Sequence, residues 1–221
     1  MNAAWLATIA CLALLLALLA AERSGARTGR YATKPLASLA FIAVALFSPA
    51  REDAYAQWVL AGLALGAVGD VALMFEGNKP FLAGLIAFLL GHLAYVVAFL
   101  AVQPVANWTL LILPVPIVGA ALVYRWLWPH LGRMRVPVLA YTAVITAMAL
   151  AGLSLAIHEQ ASALPPRQAL LATAGAVLFF LSDLAVAREK FVARGFINRA
   201  WGLPAYYVGQ LLIAWSVLLP T

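Results

Sequence analysis

The sequence predicts an all-α polytopic membrane bundle of eight transmembrane helices, and three observations predict it. Two-thirds of the 221 residues (66%) are hydrophobic, and the mean hydropathy is +0.98; a soluble domain is roughly 45–50% apolar. Only 14 basic and 8 acidic side chains are present. The apolar residues come in runs of about 20, the length that crosses the hydrocarbon. This composition excludes a water-soluble globular enzyme and a disordered chain. The single cysteine, Cys11, lies inside an apolar run, which excludes a disulfide scaffold. The net charge of +6 is read as loop charge. No basic cluster is interleaved with aromatics, so no nucleic-acid partner is expected.

The first run, 3–21, precedes Glu22, Arg23, Arg27 and Arg30. It is longer than a signal-peptide core, and its positive charges follow it, so it is read as a span. The second, 35–50, is short, and Lys34 opens it. The third and fourth are 55–75 and 81–102. The fifth, 108–124, carries Pro114 and Pro116, which predict a kink that neighbouring helices must compensate. The sixth, seventh and eighth are 136–157, 168–187 and 201–219. The connections are too short for another fold, so 1–221 is one transmembrane domain.

Charge placement tests the count. With eight spans, the segments 22–34, 76–80, 125–135 and 188–200 share one side and carry 12 Lys and Arg, whereas the other side holds only Arg51 and Arg167. Basic residues mark cytoplasmic loops. The expected location is therefore the inner (plasma) membrane, multi-pass, with both termini on the non-cytoplasmic side.

Only two acids fall within the spans, Asp70 in the third and Asp183 in the seventh. An intramembrane acid costs a few kcal/mol to insert and is a functional candidate. Both lie one to two turns before the cytoplasmic end of their helix, by the rise of about 1.5 Å per residue. Lys34, Asn78 in the third–fourth turn, Tyr141 and Thr142, and Tyr206, Tyr207 and Gln210 fall near that level; His92 and Tyr95 are deeper. Gly62, Gly66, Gly69 and Asp70 share one stripe, and the Gly62–Gly66 pair lets another helix approach, so Asp70 faces the bundle. Gly84, Phe88, Gly91, His92 and Tyr95 form a second stripe, and Ala176, Phe179 and Asp183 a third. His130 and His158 fall on opposite sides of the membrane. No metal-ligand spacing and no Gly-x-Ser-x-Gly nucleophile elbow is present, so no metal or other cofactor is expected.

A weak repeat runs through the chain. Gly69-Asp70-Val71-Ala72 before Lys79 and Phe81 is matched by Ser182-Asp183-Leu184-Ala185 before Lys190 and Phe191, and Lys34-Pro35 by Arg135-Val136-Pro137. Four spans separate the copies, which would make a parallel 4+4 duplication.

Two carboxyls at one depth suit acid–base work on an acid-labile bond through an oxocarbenium-like state. They also suit a proton-coupled transporter of a small molecule or lipid. The ordered set Lys34-Pro35-Leu36, Gly69-Asp70, Gly84-Leu85 with Phe88, Gly91-His92-x-x-Tyr95, Ser182-Asp183 and Tyr206-Tyr207-x-x-Gln210 resembles the YhhN family of membrane proteins, the lysoplasmalogenases, over nearly the whole chain. The resemblance implies metal-independent hydrolysis of the vinyl-ether bond of a lysophospholipid drawn from the membrane. Asp70 and Asp183 would then be the catalytic pair, and Lys34, Asn78, His92, Tyr95, Tyr141, Tyr207 and Gln210 would contact substrate. Lys34 with Arg135 or Arg199 would hold the lipid phosphate.

The charge bias is directly measurable. A cysteine introduced as Arg133→Cys in a Cys11→Ser background should react with a membrane-impermeant maleimide in inside-out vesicles and stay unlabelled in intact spheroplasts. Labelling in spheroplasts would reverse the orientation.

Overall fold

In the computed structural model, residues 2–48, 52–103, 114–157 and 162–218 are described. Arg51, His158 and the start of the expected fifth span lie outside them. The helices are α1 (Ala3–Ser24), α2 (Arg27–Leu46), α3 (Ala54–Ala72), α4 (Asn78–Val102), α5 (Pro114–Leu127), α6 (Arg135–Ile157), α7 (Pro166–Ala187) and α8 (Phe196–Ser216). The described residues contain no strand. Five helical segments are long and apolar enough to cross a membrane: Ala3–Ser24, Ala54–Ala72, Asn78–Val102, Gly132–Ile157 and Pro166–Val192. The described part of α5 has 14 residues. Helices α2 and α8 carry charged or polar residues through one end, Arg27 to Lys34 and Asn198 to Gln210.

The second span begins earlier than expected. Gly25 takes the left-handed conformation (φ 71°), its N–H bonds to Ala21, and α2 starts at once with Arg27. Charged residues leave the apolar zone without breaking a helix. Lys34 therefore lies inside α2, buried, rather than at its opening.

Helices α1, α2, α3, α4, α6, α7 and α8 pack in that order, and α8 closes back on α1. Helix α8 also touches α2 and α3, which puts its polar face, Tyr206, Tyr207 and Gln210, in the interior. Helix α5 stands outside this ring, packed principally on α6. It contributes nothing to the main core and is held by a smaller cluster around Leu127, Leu131 and Val138.

Small residues set the helix separations. A Cβ on Gly69 would meet the Phe88 ring at 2.7 Å, and one on Gly66 would meet Gln210 Nε2 at 2.6 Å. Between α7 and α8, a Cβ on Gly175 would lie 2.7 Å from the carbonyl oxygen of Gly209. Polar groups at the end away from the basic segments join helices: Tyr55 to Ser216 (2.6 Å), Gln103 Nε2 to the Ser154 carbonyl (2.9 Å) and Thr173 to the Gly152 carbonyl (2.5 Å). Without water, such groups need partners on neighbouring helices.

Backbone-to-backbone packing yields little. Gly175→Ala should destabilise the detergent-solubilised protein by about 1–3 kcal/mol, the usual cost of overpacking. Gly119→Ala, whose new Cβ meets nothing within 4 Å, should leave the unfolding midpoint unchanged or raise it. Equal midpoints for the two variants would contradict the packing.

Candidate active site

At the basic end of the bundle a cavity of about 380 Å³ is lined by both acids of the apolar zone, Asp70 and Asp183, with Phe88, Ser182 and Tyr206. Its rim carries Glu22, Arg30, Lys34, Glu189, Lys190, Arg194 and Arg199.

The two carboxyls have different surroundings. Lys34 Nζ lies 3.3 Å from Asp70 Oδ1. Asp70 Oδ2 accepts hydrogen bonds from Ser38 Oγ (2.7 Å) and Tyr206 Oη (2.8 Å). Residues 34 and 38 are one turn apart on α2, so one helix face supplies both the cation and the hydroxyl. Behind them a buried chain holds Tyr206 in place: Tyr95 donates to Gln210 Oε1 (2.6 Å), and Gln210 Nε2 donates to Tyr206 Oη (3.3 Å). Tyr207 donates to the Lys34 carbonyl oxygen (3.3 Å) and braces α2.

Asp183 has no lysine. Its Oδ2 accepts from Tyr141 Oη at 2.6 Å and lies 3.6 Å from His92 Nε2. His92 Nδ1 is 2.5 Å from the Phe88 carbonyl oxygen, a contact that requires a proton on Nδ1. Its Nε2 is buried and without a hydrogen-bond partner. The Phe179 ring packs on His92, with centroids 4.4 Å apart.

A narrow apolar slot of about 70 Å³ runs on from Asp183 and Tyr141 between Phe81, Leu85, Phe88, Val138 and Phe180. It shares Asp183, Leu73, Phe81 and Phe88 with the charged cavity. The two spaces therefore adjoin across a shared wall, one ionic and the other hydrocarbon-like, with the Asp183 carboxyl lining both.

The structure places several of the expected site residues away from the cavity. Tyr95, Tyr207 and Gln210 stand behind the cavity wall and act on Asp70 through Tyr206 and α2. Asn78 is the exposed first residue of α4 and accepts from Lys190 at 3.3 Å; it is outside the cavity lining. Arg135 lies 4.1 Å over the Trp128 ring, away from the cavity, because α5 and α6 meet there. Arg199 bridges Glu22 (2.7 Å) and Glu189 (2.9 Å), tying α1 to the chain before α8, so its charge is already matched. Arg30, whose buried Nε has no hydrogen-bond partner, and Arg194 also line the cavity, and among the described residues neither is paired with an acid. Ser38 was missed; its one signal was the four-residue spacing from Lys34. Among the described residues no group of three or more His, Cys, Asp and Glu side chains converges to hold a metal.

A ring of packed helices enclosing two acids, with an ionic cavity opening onto an apolar slot, defines a polytopic helical membrane protein with an amphiphile-shaped site. The chain belongs to the YhhN family, whose sequence model matches residues 29–217. It is similar to lysoplasmalogenase TMEM86A of Bos taurus, 33% identical over 164 residues covering 72% of this chain and 65% of that relative. It is also similar to a lysoplasmalogenase of Mycobacterium bovis, 30% identical over 168 residues covering 71% of this chain and 59% of that one. The membrane protein YhhN of Escherichia coli O157:H7 is 29% identical over 216 residues, 97% of this chain and 99% of its own length. The chain thus spans less than two thirds of the lysoplasmalogenases it matches. No solved structure matches it.

The Lys34–Asp70 pair permits a separation of stability from chemistry. Lys34→Met strands a buried carboxylate and should cost about 3–5 kcal/mol. The double variant Lys34→Met/Asp70→Leu should regain most of that stability in thermal unfolding. A double variant no more stable than the single one would show that the two residues are not energetically coupled.

Proposed function

We propose that this chain is an integral membrane hydrolase that cleaves the vinyl-ether bond of a lysoplasmalogen, releasing a fatty aldehyde and glycerophospho-ethanolamine or -choline. The observation that carries the reading is an ionic cavity holding two differently partnered carboxyls, one of which, Asp183, also lines the adjoining apolar slot. The names of the relatives support the substrate class. A single-chain lipid would place its phosphate at Arg30 and Arg194, its glycerol beside Tyr206, and its alkenyl chain in the slot beyond Asp183.

The surroundings divide the labour. Asp70, held by Lys34, Ser38 and Tyr206, is the carboxylate. Asp183 faces a bare ring nitrogen of His92, so a proton belongs between them, and this is the acid. Asp183 delivers that proton to the β-carbon of the vinyl ether, leaving an oxocarbenium ion at the carbon attached to oxygen. The Asp70 carboxylate faces the positive charge and takes a proton from the attacking water. The hemiacetal then returns its hydroxyl proton to Asp183, Asp70 protonates the departing glycerol oxygen, and the C–O bond breaks. Both groups end as they began, and water is the only reagent consumed.

The further architectural claims are part of the same proposal: eight spans in the inner membrane, the basic end cytoplasmic, both termini on the other side, and a parallel 4+4 repeat. The partner pattern supports the repeat. Lys34 on α2 meets Asp70 on α3 as Tyr141 on α6 meets Asp183 on α7. Tyr206 on α8 reaches the first acid as His92 on α4 faces the second. Helix α2 packs on α8 as α6 packs on α4.

A proton-coupled transporter would use the same acids. Against it, the polar groups in the opposite half join helices. Sealed vesicles containing the protein separate the two readings: aldehyde release identifies the hydrolase, and substrate movement without cleavage identifies the transporter.

Asp70→Asn and Asp183→Asn, purified and folded, should each lose aldehyde release by about 10²–10⁴-fold, the range for acid–base groups. Wild-type release by either variant removes the two-carboxyl mechanism. In D₂O the wild-type product should carry deuterium at C2 of the aldehyde, as protonation at carbon requires.

A further inference from the structure

A groove of about 680 Å³ runs between α5 and α6, lined by Ile117, Ala121, Tyr124, Leu139, Ala143 and Ala147 among others. It is open to the outside of the bundle: Ile117 and Leu139 on its rims are about half exposed (49% and 50%). Its walls are dry. The hydroxyls of Thr142 and Thr146, which line it, are satisfied by the carbonyls of Val138 and Thr142 within their own helix. Arg125 and Trp128 stand at the end nearest the basic segment, with Arg135 over the Trp128 ring.

The groove leads somewhere. Ala120 and Thr142 line both it and the apolar slot, and the slot ends at Asp183. Three spaces therefore adjoin through shared lining residues: the charged cavity, the slot, and a groove open to the surroundings of the bundle. The helix forming the outer wall, α5, is absent from the main core and packs principally on α6.

We propose that the α5–α6 groove is the side entrance by which the hydrocarbon chain of the single-chain lipid passes between the bilayer and Asp183, with Ala120 and Thr142 as its threshold. The inference rests on the hydrolase reading and adds a route to it. The continuity with the slot selects a lipid chain as occupant over a second copy of the protein, since a helix at this groove would close a passage that reaches a carboxyl. A lipid chain needs only apolar walls. With the phosphate at Arg30 and Arg194 and the vinyl ether at Asp183, the far end of the chain runs through the slot toward the groove, and the aldehyde can leave by that path without crossing the charged cavity.

The test uses Ala121→Trp, Ala143→Trp and their combination, three variants that fill the groove from exposed positions outside the slot and the polar site. Two substrates are compared in proteoliposomes of phosphatidylethanolamine and phosphatidylglycerol: an 18-carbon lysoplasmalogen and a water-soluble 4-carbon analogue that can enter from the charged cavity. The double variant should lose about tenfold or more of its rate on the long chain and keep its rate on the short one. An unchanged long-chain rate, or equal loss on both, overturns the proposal.

A second measurement is independent of cleavage. A saturated-ether lysophosphatidylethanolamine with a diazirine near the end of its chain should label peptides of α5 and α6 that line the groove, and the tryptophan variants should lose that label. Labelling confined to other helices, or a disulfide-linked dimer of Ala143→Cys in a Cys11→Ser background, which would give the groove to a second copy, overturns it. If neither substrate is cleaved by the wild-type protein while the groove still labels, the hydrolase reading fails and the chain route stands.

Discussion

The ion pair between Lys34 and Asp70 is the interaction on which the interior depends. Both residues are buried in an apolar bundle, where neither charge is tolerable alone. The pair works because α3 carries glycine along the face that holds Asp70. Gly66 lets Gln210 and Tyr206 approach, and Gly69 makes room for Phe88. The carboxylate thus receives a cation and two hydroxyls from α2 and α8. Those bonds draw α8 into the centre of the ring, where it touches α1, α2, α3 and α7.

Asp183 shows the same economy with opposite chemistry. Its neighbours are a phenol that donates to it and a bare imidazole nitrogen, where Asp70 has a cation and two hydroxyls. The cavity containing both is ionic at the rim and hydrocarbon at the far side of Asp183, the polarity of a single-chain lipid. The mouth is built rigidly. Glu189 accepts from Asn198 (2.7 Å) and the Gly195 N–H (2.8 Å), and Arg199 joins it to Glu22. The outer wall of the slot, by contrast, includes α5, which packs on α6 outside the ring.

Much of this was legible in the sequence. The stripes Gly62–Gly66–Gly69–Asp70 and Phe88–His92–Tyr95 are buried faces in the structure, because helical periodicity and the cost of exposing an acid to lipid leave no other orientation. The start of α2 lies earlier than the sequence predicts because a run of charge looks like a helix boundary. Ser38 was passed over because a serine in an apolar run is ordinarily satisfied by its own helix, as this one also is through the Lys34 carbonyl (3.1 Å). The placement of Arg135 and Arg199 was likewise beyond reach, since a basic residue near a span end looks alike whether it faces a cavity, an aromatic ring or two glutamates.

By itself, the sequence determined the solvent, the helical class and the two acids that lie within the apolar zone. The scarcity of charge made those acids stand out, and hydropathy and period are local properties that neighbouring residues along the chain suffice to express. Which cation meets which acid, which tyrosines act directly and which only brace, and the separation of α5 from the ring were decided by tertiary structure alone. Each is a contact between residues from about 40 to over 170 positions apart, set by how closely small side chains let two backbones approach, and no local pattern encodes that distance.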